Sequence, residues 1–177
     1  AASDVYKRQG LDQVQTVQAH DVLANDMQFA NKKVVVIGGG ITGLETALYI
    51  NRQGTNQVSV VDMLPEWPVD MLDMRYQNEA LLEVRHCNDQ GVALFYNNKV
   101  VKFADGKLFI ESTKDGEVKE LPADVIVLSV GVKPNDALWQ ELLASGHPSV
   151  WKAGDAIATG KINKAVLHGS KFGYSLN

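Results

Sequence analysis

The sequence predicts an α/β fold, a parallel sheet with crossover helices joined to an antiparallel β-meander, followed by part of a second domain. Three observations carry this. Val34-Val35-Val36-Ile37 is an apolar, β-branched run with no polar face, the pattern of a parallel strand buried on both sides. It breaks at Gly38-Gly39-Gly40, and Ile41, Leu44, Ala47, Leu48 and Ile50 then recur at helical spacing up to a stop at Gly54. Between Val92 and Leu121 the apolar period falls to two, with Asp105-Gly106 and Asp115-Gly116 as turn pairs.

The other elements follow in order. His20-Asp21-Val22-Leu23 opens a short helix, and Val58 to Val61 is the second buried strand. Leu64-Pro65 and Trp67-Pro68 impose a loop, because proline disfavours helix in the residue before it. A helix is expected from about Met74 to Asn88, stopped near Gly91. The meander takes in Val92-Leu94, Val100-Val101-Phe103 and Leu108-Ile110, and Asp124 to Val130 forms another buried strand ending at Gly131. A helix near residues 136–145, a short strand at Val150–Ala153 and a C-terminal helix from about Ile162 complete the chain.

A chain of 177 residues holds one full domain and part of another at about 100–150 residues per domain. It is 45% hydrophobic and 21% charged with a net charge of −4, ordinary values, and it has no run of about 18 apolar residues that could span a bilayer. Phosphate-backbone binding needs clustered Lys and Arg, and no basic block exists, so no nucleic-acid partner is expected. The single cysteine, Cys87, builds neither a disulfide nor a cysteine-rich metal site and suits a cytoplasmic location. Ala1 to Gln9 reads as a non-native leader and is left out of the fold expectation.

Gly38-Gly39-Gly40-Ile41-Thr42-Gly43 satisfies G-x-G-x-x-G, a weak signal alone. Its context makes it a dinucleotide fingerprint: a buried strand precedes it, a helix follows, and Asp62 closes the next strand about 20 residues on. Gly38 turns the chain, Gly40 admits a pyrophosphate to the backbone, and Gly43 lets helix and strand pack closely. The helix N-terminus offers unpaired N–H groups and a partial positive charge. Asp62 is placed to accept hydrogen bonds from adenosine ribose hydroxyls. Met63 follows it where an arginine for a 2′-phosphate would stand, so NADH is expected over NADPH.

Other signals fall away. Thr159-Gly160-Lys161 is not a P-loop, because Asp155 stands where the first glycine should be and Ile162 follows the lysine. No Tyr precedes a Lys by four in the body of the chain, so a short-chain dehydrogenase pair is absent. His86, Cys87, His147 and His168 lack catalytic partners, and Trp67, Trp139 and Trp151 read as packing residues. No residue of this chain is assigned to catalysis or to a metal.

Val35 to Glu45 (VVIGGGITGLE), Asp62, Asp124 to Asn135 (DVIVLSVGVKPN) and Val150 to Ala156 (VWKAGDA) resemble, in order, the second half of flavoproteins with two dinucleotide-binding domains. The likeness, over Asp21 to Leu176, is to multidomain Old Yellow Enzyme relatives: 2-enoate reductases, 2,4-dienoyl-CoA reductases and related NADH:flavin oxidoreductases. In that family a barrel holding FMN and a 4Fe-4S cluster precedes an FAD domain interrupted by an NAD(P)H domain.

The resemblance implies that 10–32 is a linker from the FAD domain, 33–130 the Rossmann-like NAD(P)H domain and 131–177 the C-terminal part of the FAD domain. It implies that Glu45 lies near the nicotinamide. Gly131 leads back into the FAD domain, Gly154-Asp155 supplies a carboxylate to the ribityl chain of FAD, and the helix at Ile162 faces the flavin. The partners implied are the rest of the flavoprotein and, when complete, further copies of it. The chain departs from the pattern in having one G-x-G-x-x-G, no second cysteine and no barrel. Activity by this chain alone is therefore not expected. Two alternatives share these residues: an NADH oxidase or ferredoxin reductase-like flavoprotein, and a non-catalytic NAD-binding module.

Overall fold

The computed structural model describes residues 8–65, 74–147 and 149–175. The chain forms two compact units that divide between Gly131 and Val132.

The first unit is built on a five-stranded sheet. Its strands are β1 (Gln15–Gln18), β2 (Lys33–Ile37), β3 (Gln57–Val61), β4 (Ala93–Phe95) and β8 (Val125–Leu128), and every pairing is parallel, in the order β1-β8-β2-β3-β4. Helices α1 (Ala19–Ala24), α2 (Ile41–Asn51) and α3 (Met74–Asp89) intervene. The remaining strands, β5 (Asn98–Ala104), β6 (Lys107–Ser112) and β7 (Val118–Pro122), form a separate antiparallel sheet.

The alternation of side chains along β2 explains why it carries no polar face. Val34 and Val36 join one core cluster with Val22 of α1, Leu44, Ala47 and Ile50 of α2, and Val84 and Cys87 of α3. Val35 and Ile37 point the other way, into a cluster with Val100, Phe103, Leu108 and Ile110 of the meander. Helices thus cover one face and the meander covers the other. Leu44 and Ile50 are fully buried, and each contributes about 1.5–3 kcal/mol by leaving water.

Local chemistry sets the boundaries. Gly40 is the N-cap of α2 at φ −70°, ψ 172°, and Gly54 takes φ +90° just past its end, which only glycine adopts without strain. Thr46, buried in mid-helix, donates to the Thr42 carbonyl at 2.6 Å, so its hydroxyl is satisfied. Asp105 and Gly106, both at positive φ, join β5 to β6 as a two-residue hairpin loop. A register shift between Val100 and Lys102 leaves Val101 exposed while returning Phe103 to the core.

Residues 10–32, expected as a linker from the FAD domain, contribute β1, paired along its length with β8, and α1, which buries Ala19 and Val22. At the end of the segment expected as a leader, the Gln9 carbonyl accepts from Phe103 N–H of β5 at 2.8 Å. Two sequence expectations need correction. Ala93–Phe95 joins the parallel sheet beside β3 rather than the meander. Val150–Ala153 is irregular rather than a strand. A strand exists only through a partner, and the second unit contains no strand among its described residues.

The second unit comprises α4 (Ala137–Ala144), a short 3-10 turn at Gly154–Ala156 and α5 (Ile162–Ser175). Lys152 Nζ reaches Asp136 Oδ2 at 2.6 Å and lies 4.2 Å from the Trp139 ring centroid. Trp139 Nε1 donates to the Val150 carbonyl at 3.2 Å. Its helices bury no fully enclosed apolar residue; Leu138, Ile162, Val166 and Tyr174 are exposed. The helix expected near residues 136–145 and the C-terminal helix expected from about Ile162 are present as α4 and α5.

Candidate dinucleotide site

The site grows from the end of β2. Gly38 turns the chain at φ +109°, and a Cβ there would stand 2.3 Å from the Ser129 carbonyl oxygen. A Cβ on Gly43 would stand 1.9 Å from the Gly38 carbonyl oxygen, so only glycine allows the first turn of α2 to rest on the loop. Gly39 is hemmed by Tyr96 and Asp62. Gly40 differs from all three. It has ordinary backbone angles and nothing within 4 Å of where a Cβ would be. The fold itself does not require glycine there, and the open space lies at the N-cap of α2, where unpaired N–H groups concentrate.

Asp62 ties this loop to the next strand. Gly39 N–H donates to its Oδ2 at 2.6 Å and Leu64 N–H to its Oδ1 at 2.9 Å. Its own backbone is fixed on both sides, through Asp62 N–H to the Phe95 carbonyl at 3.0 Å and Asn98 N–H to the Asp62 carbonyl at 2.9 Å. A carboxylate oxygen accepts more than one hydrogen bond, so both oxygens retain capacity for ribose hydroxyls.

Gly38, Gly40 and Asp62 line one cavity of about 280 Å³. That is just under the range of about 300–1,000 Å³ seen for small-molecule sites. Ile37, Val61, Leu64, Val100 and Val130 give it apolar walls, and Met63 lies at its exposed rim. Thr42 is exposed and Ile41 half-buried at the start of α2. Lys99, a cation on the wall, is paired with Glu111 at 2.7 Å.

Several lining residues were not foreseen. Asn98, Lys99 and Val100 come from the start of β5, Ser129 and Val130 follow the end of β8, and Arg8 comes from the segment before β1. Asn98 follows β4, and the parallel pairing of β4 with β3 brings it beside Asp62. Glu45, expected near the nicotinamide, is exposed in a separate shallow groove with Asp26, Tyr49, Arg52, Glu83 and His86. Cys87 is fully buried, and burial pushes its thiol up to about 11, with Glu83 adding to the rise and Arg52 opposing it. It has no nucleophilic character near neutral pH.

In the second unit Asp155 is exposed on the 3-10 turn, where its Oδ1 accepts from Gly160 N–H at 3.2 Å. Gly154, at φ +60°, packs beside Ala165 of α5. Ile162 opens α5 with its side chain 83% exposed, and Gly131, at φ +85°, is exposed at the division between the units. Among the described residues no group of His, Cys, Asp or Glu is arranged to hold a metal, and no helix is long and apolar enough to cross a membrane.

Comparison with known proteins places this geometry in context. The chain is 32% identical over 165 residues to an NADH oxidase of Thermoanaerobacter brockii, a match covering 90% of this chain and 24% of that protein. It is 28% identical over 141 residues to a ferredoxin–NADP reductase of Ignicoccus hospitalis, covering 77% of this chain and 43% of the relative. The chain thus spans about a quarter to under half the length of these curated relatives. In fold it is similar to histamine dehydrogenase from Rhizobium sp. 4-9, with a TM-score of 0.80 at 21% identity over 97% of this chain and 28% of that one. Residues 2–169 match the family model for pyridine nucleotide-disulphide oxidoreductases. With its parallel sheet, glycine-rich turn and strand-end acid, the chain belongs to the pyridine nucleotide-disulphide oxidoreductase family.

Proposed function

We propose that this chain is the nicotinamide-binding portion of an FAD-dependent oxidoreductase. NADH would bind on Gly38–Gly43 and Asp62 and give its hydride to FAD, and the two electrons would then leave one at a time through a 4Fe-4S cluster to the FMN of a barrel that reduces an activated alkene. The observation that carries the reading is the open space at Gly40. Gly40 leaves the N-terminus of α2 uncovered, and a pyrophosphate lying on its unpaired N–H groups is a group that fits that space.

The residues of the chain bind and orient. The Gly38–Gly43 turn offers N–H groups to the phosphates, and Asp62 holds the ribose while its hydrogen bond from Gly39 keeps the turn in place. Two cations line the cavity, Arg8 and Lys99, and Lys99 is engaged with Glu111. The charge of Asp62 disfavours a 2′-phosphate and favours NADH over NADPH. In the second unit Asp155 and the start of α5 are suited to one wall of an FAD site. The exposed apolar side chains of α5 suit cover by the remainder of an FAD domain. Flavin, when bound, supplies the hydride acceptor. Cys87 is buried, so an iron–sulfur cluster belongs to other parts of the protein.

A second reading, an NADH oxidase or ferredoxin reductase-like flavoprotein with the same nicotinamide domain, is favoured by the two sequence relatives. An upstream barrel with clustered cysteines would decide for the first reading. The domain assignment itself is tested by titrating this chain with NADH and NADPH, following nicotinamide fluorescence. Wild type is expected to prefer NADH. Asp62→Ala should weaken NADH about tenfold or more, since a charge-assisted hydrogen bond is worth about 1.5–3 kcal/mol, and NADPH less. Failure to bind either cofactor, or equal small losses for both, refutes the assignment.

A further inference from the structure

Lys99 is the second residue of β5 and lines the cavity that Asp62 and Gly40 share. The residue before it, Asn98, donates its N–H to the Asp62 carbonyl, so the strand that carries the lysine starts at the backbone of the ribose acid. Its ammonium is held by Glu111. The two residues face each other across β5 and β6, and Nζ stands 2.7 Å from Oε1. Glu111 itself is not among the residues that line the cavity.

This ion pair is exchangeable. The lysine side chain is 45% exposed and the glutamate 32%, and a pair in that setting holds weakly, because water and salt screen it and two long side chains must be ordered. Lysine is a compact charge on a flexible stem, so it turns to whichever anion binds it better. NADH would bring two ribose hydroxyls to Asp62, and NADPH replaces one of them with a phosphate. Asp62 and Glu111 together outweigh the charge of Lys99; with Glu111 neutral, Lys99 balances Asp62. Arg8 lines the same cavity from the segment before β1, so its part must be separated by experiment.

We propose that Glu111 helps set the cofactor choice from outside the cavity: by holding the Lys99 ammonium it withholds a cation that would pair with a 2′-phosphate, and its loss opens the site to NADPH. The inference rests on the nicotinamide-dinucleotide reading of this cavity and adds a second determinant to the charge of Asp62. Asp62 repels the phosphate directly, whereas Glu111 acts through Lys99. Glu111 is therefore a positioning residue, touching the lysine and not the ligand.

The test titrates this chain and its variants with NADH and NADPH, followed by nicotinamide fluorescence. Glu111→Gln keeps the shape of the side chain and removes its charge. It should tighten NADPH about tenfold, the worth of one charge-assisted hydrogen bond, and move NADH by less than about twofold. The gain should shrink in about 1 M salt, where charges are screened within about 3 Å, and vanish when Glu111→Gln is combined with Lys99→Met. A merely structural effect at β6 would shift both cofactors together. Equal shifts, no shift, or a gain that persists without Lys99 and so belongs to Arg8 overturn the inference and leave the NADH assignment standing. Failure of wild type to bind either dinucleotide overturns both. Should Glu111→Gln fail to fold, as read by circular dichroism, Lys99→Met alone decides: it should weaken NADPH more than NADH, and equal losses overturn the inference.

Discussion

Two alanine substitutions three residues apart should fail in opposite ways. At Gly40 the backbone already sits at φ −70°, ψ 172°, and a methyl group meets nothing within 4 Å. Gly40→Ala gains about 0.4–1 kcal/mol from the stiffer unfolded chain. It loses a similar amount because alanine is a poorer N-cap than glycine, so stability should stay within about 1 kcal/mol of wild type. At Gly43 the added carbon would lie 1.9 Å from the Gly38 carbonyl oxygen and 3.1 Å from its carbon. Both are backbone atoms, so α2 must lift from the loop, an overpacking that costs about 1–3 kcal/mol or more. Urea denaturation followed by circular dichroism reads the stabilities, and nicotinamide fluorescence reads NADH binding. Gly40→Ala should fold like wild type and bind at least about tenfold more weakly, because its methyl occupies the pyrophosphate position. Gly43→Ala should lose stability first. A Gly40→Ala protein that binds NADH normally would refute the placement of the phosphates over α2.

Two further outcomes follow from burial. The Cys87 thiol, raised to about 11 by its surroundings, should resist thiol reagents at pH 8 until the protein is unfolded; its neutral form is the one the core favours. The stability it supports is therefore fully present below its ordinary value of 9.0 and declines as pH rises toward about 11. Cys87→Ala should flatten that alkaline decline in a series of thermal melts, and an unchanged slope would show that another group is responsible. This chain should also purify without flavin colour, since Asp155 and α5 form one wall only and no second glycine-rich turn is present. Stoichiometric FAD in the purified chain would mean that Gly38–Gly43 serves FAD.

The central βαβ unit was legible because each residue in it answers to a local rule. Val34 to Ile37 has no polar face since both faces are buried, and Gly38 and Gly43 are glycines because backbone atoms stand within 2.3 Å of where a Cβ would be. Residues 15–18, in contrast, are Gln-Thr-Val-Gln. As an edge strand with exposed or half-buried side chains, β1 has no apolar signature, and its existence depends on pairing with β8. Ala93–Phe95 failed for a related reason. A three-residue strand has too little pattern to reveal its sheet, and its parallel partner β3 is fixed only once α3 has crossed back. Within the site, the acid was readable from its spacing to the glycines. Asn98, on the cavity wall, was not, because only the pairing of β4 beside β3 brings the residues that follow β4 next to Asp62.

Asp62 ties these levels together. Its carboxylate is already hydrogen-bonded to the phosphate loop through Gly39 and to the turn after β3 through Leu64. The acid that meets the ribose therefore also holds in place the glycines that meet the phosphates. A loop so braced loses little conformational freedom when a dinucleotide arrives, which strengthens binding without any added contact. The same bracing changes what substitution at Asp62 measures. Removing the carboxylate leaves the Gly39 N–H without its acceptor and loosens the phosphate turn, a loss that NADH and NADPH share. Only the ribose hydrogen bonds and the repulsion of a 2′-phosphate distinguish the two cofactors. The ratio of their affinities, rather than either affinity alone, therefore isolates the ribose role from the structural one.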